Sequence, residues 1–396
     1  DVLPGIIRSD RSLSVQDADV LAQYLENHKV IVLAGEGTFS IAALQDQARR
    51  DREAQALLAF SERFDAPLLA DPLSQLRSYG YPAVICGYDQ IMNSPDMPEF
   101  EVVIRFGRYP VSKRAAQAIE SLRPAQIVVD VQESRDFNAQ TTTFVAANPL
   151  DFVVALLEAV SYNLDEMPDE QSHLPLNIQE WGMLDRDRSE RILASNLAED
   201  DSFEGAYVQA LLQEIPAESL LFSANSMAIR AVDEFYFTRG KRLTVLANRG
   251  LNGIDGTVSS ALGAAQEFKQ TVFLTGDLTF LHDMNALALQ EEMLLQEKEG
   301  MHRPSIVIVL LNNQGGAIFD MLPQQSKEAY FERLFLTPQH VDFCAVAQAF
   351  GVPATKVATV EDFRRALTKN FEVPGISLVE VTVPLQGVKE RYGRYR

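Results

Sequence analysis

The 396-residue chain is short of several things, and each shortage excludes a class of protein. It has only two cysteines, Cys86 and Cys344, so a disulfide framework is not indicated. Both lie beside apolar residues and read as buried thiols, which suits a reducing, cytoplasmic setting. No apolar run approaches the roughly 18 residues of a transmembrane segment. The opening DVLPGIIRSDRSLS lacks the basic-then-apolar layout of a signal peptide. Basic residues are scarce too: 35 Lys and Arg against 55 Asp and Glu give a net charge of −20, which argues against a nucleic-acid partner. In so acidic a chain, anions must be met by a few placed cations rather than by the overall field.

What remains is an ordinary globular composition, 46% hydrophobic and 23% charged, in a chain long enough for two or three domains. From Asp10 to about Asn163, strand and helix patterns alternate. Gln16–His28 reads as an amphipathic helix; Lys29–Ala34, Pro67–Ala70, Glu101–Phe106, Ala125–Val131 and Thr143–Ala146 read as strands. Residues 164–201 turn polar and acidic, which predicts a linker over about 163–183 and a connecting helix over Arg188–Leu197. There Trp181 reads as a residue that packs the linker down. A second series follows over 202–396. Its strands are Ser219–Ser223, Leu243–Ala247, Val272–Thr275, Ile306–Leu311 and Ile376–Val383, with helices between them. The expected fold class is therefore α/β, with two doubly wound parallel-sheet domains at 1–163 and 202–396.

Two glycine-rich turns read differently. Gly35-Glu36-Gly37 follows a strand, but a third glycine and an acidic ribose partner are missing, so a tight turn is a better reading than a nucleotide site. Asn248–Gly256 holds three glycines in a short loop, which favours a ligand cradle. Arg249 opens that loop, and Ser226 and Arg230 share a helix face after the preceding strand. Lys113 and Arg114 stand together where a helix should start. Each cation has two readings, a carboxylate clamp or a solvated or structurally paired charge.

The stretch Thr271–Phe319 carries the strongest signal. Its two apolar runs end at once in oxygen-bearing clusters, Gly276-Asp277-Leu278 and Asn312-Asn313-Gln314-Gly315-Gly316. Buried parallel strands that end so carry sites at their carboxyl ends. One charged carboxylate and one amide oxygen suit Mg²⁺ shared with a phosphate. A helix starting near Thr279 would offer free N–H groups to the same anion. Two ordinary strand-end turns are the alternative. Ile318, Phe319 and Leu322 have helical spacing, which means core or a pocket wall.

This pattern, GD followed by a crossover helix, an apolar strand and NN, is similar to the thiamine-diphosphate motif of the thiamin-dependent enzymes. The motifs ANSMAIR, NRGLNGIDG, GDLTFLHDMNALAL, NNQGGAIFDMLP, LLADPLS and SKR extend it across nearly the whole chain. They resemble one branch, the 2-succinyl-5-enolpyruvyl-6-hydroxy-3-cyclohexene-1-carboxylate synthases of menaquinone biosynthesis. The resemblance implies a middle α/β domain followed by a diphosphate-binding domain. It implies that 2-oxoglutarate is decarboxylated on thiamine diphosphate and joined to isochorismate. Asp277, Asn313 and the Gly315 carbonyl would hold Mg²⁺ or Mn²⁺. Ile254, Leu278 and Ile318 would touch the cofactor. Ser226, Arg230, Arg249, Lys113, Arg114, Phe319 and Leu322 would meet substrate, with Lys113 and Arg114 reaching in from the first domain. Asp277 and Asn313 stand several residues further apart than is usual in the family, an excess assigned to the charged loop Gln296–Pro304. The family's N-terminal pyrimidine-binding domain, with its activating glutamate, has no counterpart in these motifs. The chain is therefore expected to bind cofactor weakly and not to turn over alone, within a homodimer or homotetramer when full length. An acetolactate-synthase or oxoacid-decarboxylase relative, and a non-catalytic nucleotide- or partner-binding module, are the competing readings.

Overall fold

The computed structural model describes residues 13–131, 136, 139–162, 174–237, 240–298, 304–326 and 328–395. The chain forms two units, one of residues up to Leu76 with Tyr81–Arg186, the other of Arg77–Gly80 with Asp187–Arg396.

The first unit is a six-stranded parallel sheet. Its strands are β1 (Val30–Ala34), β2 (Leu68–Ala70), β3 (Val84–Ile85), β4 (Val102–Phe106), β5 (Ala125–Val129) and β6 (Thr143–Val145), in the order β3-β2-β1-β4-β5-β6. β1 and β4 are buried throughout, as expected of central strands covered on both faces. One core cluster joins Ile31, Leu33, Leu69, Ile85, Tyr88, Ile119 and Trp181. Polar caps start the helices: Ser14 accepts from Asp17 N at 3.1 Å before Val15–Glu26, and Asp46 accepts from Arg49 N before Gln47–Arg63.

The strand order reverses between β1 and β4, where doubly wound sheets commonly bind nucleotides. Here that crevice is filled by backbone. Gly35 N donates to Phe106 O at 3.0 Å and Arg108 N to Glu36 O at 2.9 Å. A Cβ on Gly35 would lie 2.0 Å from Arg108 O; one on Gly107, at φ +66°, would lie 2.1 Å from Glu36 O. These glycines let two loops pack closely, so the tight-turn reading of Gly35-Glu36-Gly37 holds.

The second unit is also a six-stranded parallel sheet. Its strands are β7 (Leu220–Ser223), β8 (Thr244–Ala247), β9 (Gln270–Gly276), β10 (Ser305–Asn312), β11 (Ala354–Val357) and β12 (Gly375–Thr382), in the order β11-β12-β10-β9-β7-β8. The expected class, two doubly wound parallel sheets, is the observed one. Leu311 of β10 stands in register with Gly276 of β9, so Asp277 and Asn312 leave the sheet side by side.

Some boundaries differ from the sequence reading. The edge strands β3 and β11 were not expected: β3 has two residues, and the middle of β11 is exposed, so neither shows an apolar run. The helix expected at Arg188–Leu197 begins at Leu176 and ends at Leu193, inside the segment read as linker. Residues 163–173 of that segment lie outside the described residues. The division between units falls within this helix, at Arg186 and Asp187. Trp181 is on it and fully buried in the first core. The crossover helix expected at Met284–Gln296 is three pieces, Asp277–Asp283, a 3₁₀ stretch Met284–Leu289, and Gln290–Lys298. The charged loop proposed to absorb the extra spacing falls partly outside the described residues.

Candidate functional site

The helix after β9 begins at Asp277 itself, not near Thr279, with Gly276 at its N-cap position; Asp277 Oδ1 accepts from Leu278 N at 2.7 Å. The other oxygen, Oδ2, accepts from Gly315 N at 2.8 Å, and the same N–H reaches Asn313 Oδ1 at 3.1 Å. Three sequence-predicted residues are thus brought together by one amide. Asp277 is buried, and burial pushes its carboxyl up to about 6, although the N–H bonds from Leu278 and Gly315 pull it the other way.

Sequence chemistry fixes the loop that delivers Gly315. Gln314 takes φ +63°, and Asn312 Oδ1 accepts from Gln314 N at 2.9 Å. A Cβ on Gly315 would stand 2.4 Å from Leu336 O, so only glycine lets that backbone pass. Gly316 N donates to the same Leu336 O at 2.7 Å. The chain over Glu332–Leu336 therefore clamps the loop from outside, a role that no motif signalled.

Ile318 and Phe319 are half-buried on a 3₁₀ turn, Ala317–Met321, rather than an α-helix, and Leu322 lies just past its end, 37% exposed. They therefore do not form the helical stripe that the spacing suggested. Phe319 packs edge-on against Phe335 with centroids 5.6 Å apart. Leu278, in the first turn of the helix after β9, and Ile254, in the loop after β8, are each half-buried.

A second group gathers after β7 and β8. Ser226 has φ +65° and ψ −132°, a backbone region that a side chain seldom enters. Its carbonyl accepts from Arg230 Nη1 at 2.7 Å, one helical turn on. Arg249 Nη1 donates to Asn225 Oδ1 at 2.7 Å, and Asn225 Nδ2 bonds to Asn248 O and Gly253 O at 2.8 and 2.9 Å. Asn225, part of the ANSMAIR motif but given no role there, thereby ties the glycine-rich loop to the Ser226 turn. Arg230 has a solvent-accessible surface, yet crowding by neighbouring protein atoms and, second, the charge of Arg249 lower its pKa from the ordinary guanidinium value. Among the described residues, Arg230 makes no ion pair.

In the first unit, Ser112 caps the helix Lys113–Leu122. Arg114 Nη1 donates to Asp89 Oδ2 at 2.9 Å, so its charge is already met, whereas Lys113 is exposed. Among the described residues, no group of three or more His, Cys, Asp or Glu could hold a metal. The donors expected from the sequence, one carboxylate, one amide and one carbonyl, are not such a group. No helix among the described residues is long and apolar enough to cross a membrane.

Residues 230–381 match the family model described as thiamine pyrophosphate enzyme, C-terminal TPP binding domain. The match encloses Arg230, Arg249, Ile254, Asp277, Asn313, Gly315 and Leu322. The chain is similar to the 2-succinyl-5-enolpyruvyl-6-hydroxy-3-cyclohexene-1-carboxylate synthase of Desulfitobacterium hafniense, 37% identical over 348 residues, covering 85% of this chain and 58% of that protein. It is 35% identical over 336 residues to the same-named protein of Oceanobacillus iheyensis, with 83% and 55% coverage. For that of Lactococcus lactis subsp. lactis the identity is 34% over 333 residues, with 83% and 55% coverage. The chain thus spans little more than half the length of these relatives.

Proposed function

From the premise that this chain is a relative of the 2-succinyl-5-enolpyruvyl-6-hydroxy-3-cyclohexene-1-carboxylate synthases, we propose that it carries the diphosphate-anchoring and carboxylate-recognising part of that thiamine-diphosphate-dependent synthesis. The observation that carries the proposal is the convergence of Asp277, Asn313 and Gly315 on one amide at the ends of β9 and β10.

The donor set fits a divalent cation. All three groups offer hard oxygens, only one is charged, and Mg²⁺ favours such a set with the remaining positions left to phosphate and water. Glycine at 315 lets the loop pass against Leu336 O, which holds the backbone that would face the metal. Asp277, Asn313 and the Gly315 carbonyl would hold the metal, with Ile254, Leu278 and Ile318 as apolar neighbours of the cofactor. When bound, thiamine diphosphate supplies the electron sink for decarboxylation of a 2-oxo acid.

This chain's own residues bind and orient. Ser226, Arg230 and Arg249 would receive substrate carboxylates, the arginines by charge-assisted hydrogen bonds. Both proposed substrates, 2-oxoglutarate and isochorismate, carry two carboxylates, which gives two adjacent cations a purpose. Phe319 and Leu322 would wall the apolar side. The relatives' reaction, menaquinone biosynthesis as its setting, and a homo-oligomeric state belong to the same proposal.

Calorimetry tests it. Thiamine diphosphate should bind only with Mg²⁺, and Asp277→Ala should abolish binding. Binding unaffected by that substitution, or none at millimolar Mg²⁺, would refute the anchoring role. Replacing Arg230 by Gln should weaken 2-oxoglutarate binding about 10- to 100-fold, the worth of one charged hydrogen bond.

A further inference from the structure

Behind the Gly315 loop a polar chain crosses three strands on one face of the second sheet. Lys356 of β11 stands in register with Glu380 of β12, and Glu380 with Leu310 of β10. Asn312 lies two residues beyond Leu310, hence on the same face. Glu380 is fully buried, on a strand whose Leu378, Val379 and Val381 are buried too, and a carboxylate is costly there. Both of its oxygens have donors. Oε1 accepts from Asn312 Nδ2 at 2.9 Å and from Lys356 Nζ at 3.0 Å; Oε2 accepts from Cys344 Sγ at 3.3 Å.

A carboxylate of this kind can only accept, so it fixes which end of the Asn312 amide faces it. The NH₂ must point to Glu380, and Oδ1 is then presented to Gln314 N at 2.9 Å. That bond holds Gln314 at φ +63°, and the next N–H, of Gly315, points at Asp277. Were the amide turned over, its NH₂ would face the Gln314 N–H, donor to donor, and the turn would lose its brace.

We propose that Glu380 is a positioning residue that acts through Asn312 to aim the Gly315 loop at Asp277. It deepens the cofactor reading above and rests on it for what the loop is aimed at, but the brace itself does not need a cofactor.

A donor–acceptor exchange tests it. Asn312→Asp sets two carboxylates against each other. Adding Glu380→Gln restores a donor: the new amide can donate to the new carboxylate, whose second oxygen still accepts from Gln314 N. Two readouts are needed. One is amide hydrogen exchange at Gln314 and Gly315 in the cofactor-free chain; the other is the Mg²⁺-dependent affinity for thiamine diphosphate. Asn312→Asp alone should speed exchange at both amides and weaken affinity about 10- to 100-fold, the usual effect of disturbing a group behind a ligand. The double variant should recover most of both. A folded double variant as impaired as Asn312→Asp, or a single variant with unchanged exchange, would overturn the proposal. If exchange responds as expected while the unsubstituted chain binds no cofactor, the brace stands and the cofactor reading fails.

Discussion

Asp277 Oδ2 and Gly315 N meet at 2.8 Å, joining the end of β9 to the loop beyond β10. The carboxylate is buried and its pKa pushed up to about 6 from 3.8. In the metal-free chain, the native state therefore holds this proton more tightly than the unfolded state does. The contribution to stability is full below about 4 and is lost as pH rises to about 6. Metal binding runs the other way, because the ligand must be ionised. The Mg²⁺-dependent affinity for thiamine diphosphate should fall about tenfold per pH unit below about 6, and the metal-free melting temperature should drop between about pH 4 and 6. Titration calorimetry and thermal melts across pH 4–8 check both slopes.

Gly315→Ala should fail sterically. Its Cβ would lie 2.4 Å from Leu336 O, the carbonyl that also accepts from Gly316 N. Backbone has to move, at a cost of about 1–3 kcal/mol. Urea unfolding should register that loss, and cofactor binding should fall with it. An unchanged urea midpoint would mean that the Glu332–Leu336 clamp yields freely.

Ser226 lets strain and chemistry be separated. At φ +65° and ψ −132° the backbone suits glycine, and a side chain there costs about 1–3 kcal/mol. Ser226→Gly should raise the melting temperature, whereas Ser226→Ala should not. If the hydroxyl serves substrate, both variants should bind 2-oxoglutarate less well. Equal melting temperatures for the two would remove the strain argument.

Arg77 and Asp233 form a buried ion pair, Nη2 to Oδ1 at 2.5 Å, with Arg77 Nη1 also donating to Asp233 O at 2.7 Å. Arg77 is 1% exposed and Asp233 8%. Arg77→Met should cost about 3–5 kcal/mol by removing one partner of a buried ion pair. The double variant with Asp233→Asn should lose less than the sum of the two singles, which denaturant unfolding can measure as a coupling energy.

The parts of this architecture that run on periodicity were legible. Central strands buried on both faces, such as β1 and β10, announce themselves as apolar runs, and β10 delivers its oxygen-bearing cluster at its carboxyl end as expected. The edge strands β3 and β11 do not, because β3 has two residues and half of β11 faces solvent. Asp277, Asn313 and Gly315 were legible because residue type and strand end coincide. Asn225 and Glu380 were not. Asn225 joins segments 28 residues apart in sequence, and Glu380 reaches back 68 residues to Asn312. Such bonds depend on strand order, which no local pattern encodes. Trp181 does pack its segment down, but the helix that carries it reads as linker in the sequence because polar, acidic neighbours mask the face on which the indole is 0% exposed.

The four residues Arg77–Gly80 belong to the second unit although the chain on either side of them belongs to the first. Arg77 and Asp233 are 156 residues apart. During synthesis the arginine emerges early and has to wait for its carboxylate. Closing so long a loop is entropically slow to begin, though only logarithmically worse with length. Docking of Arg77–Gly80 adds long-range contacts to the second unit, and a higher mean contact separation goes with slower folding. Removing the pair should slow refolding only if the docking of Arg77–Gly80 already belongs to the transition state; otherwise it should mainly speed unfolding.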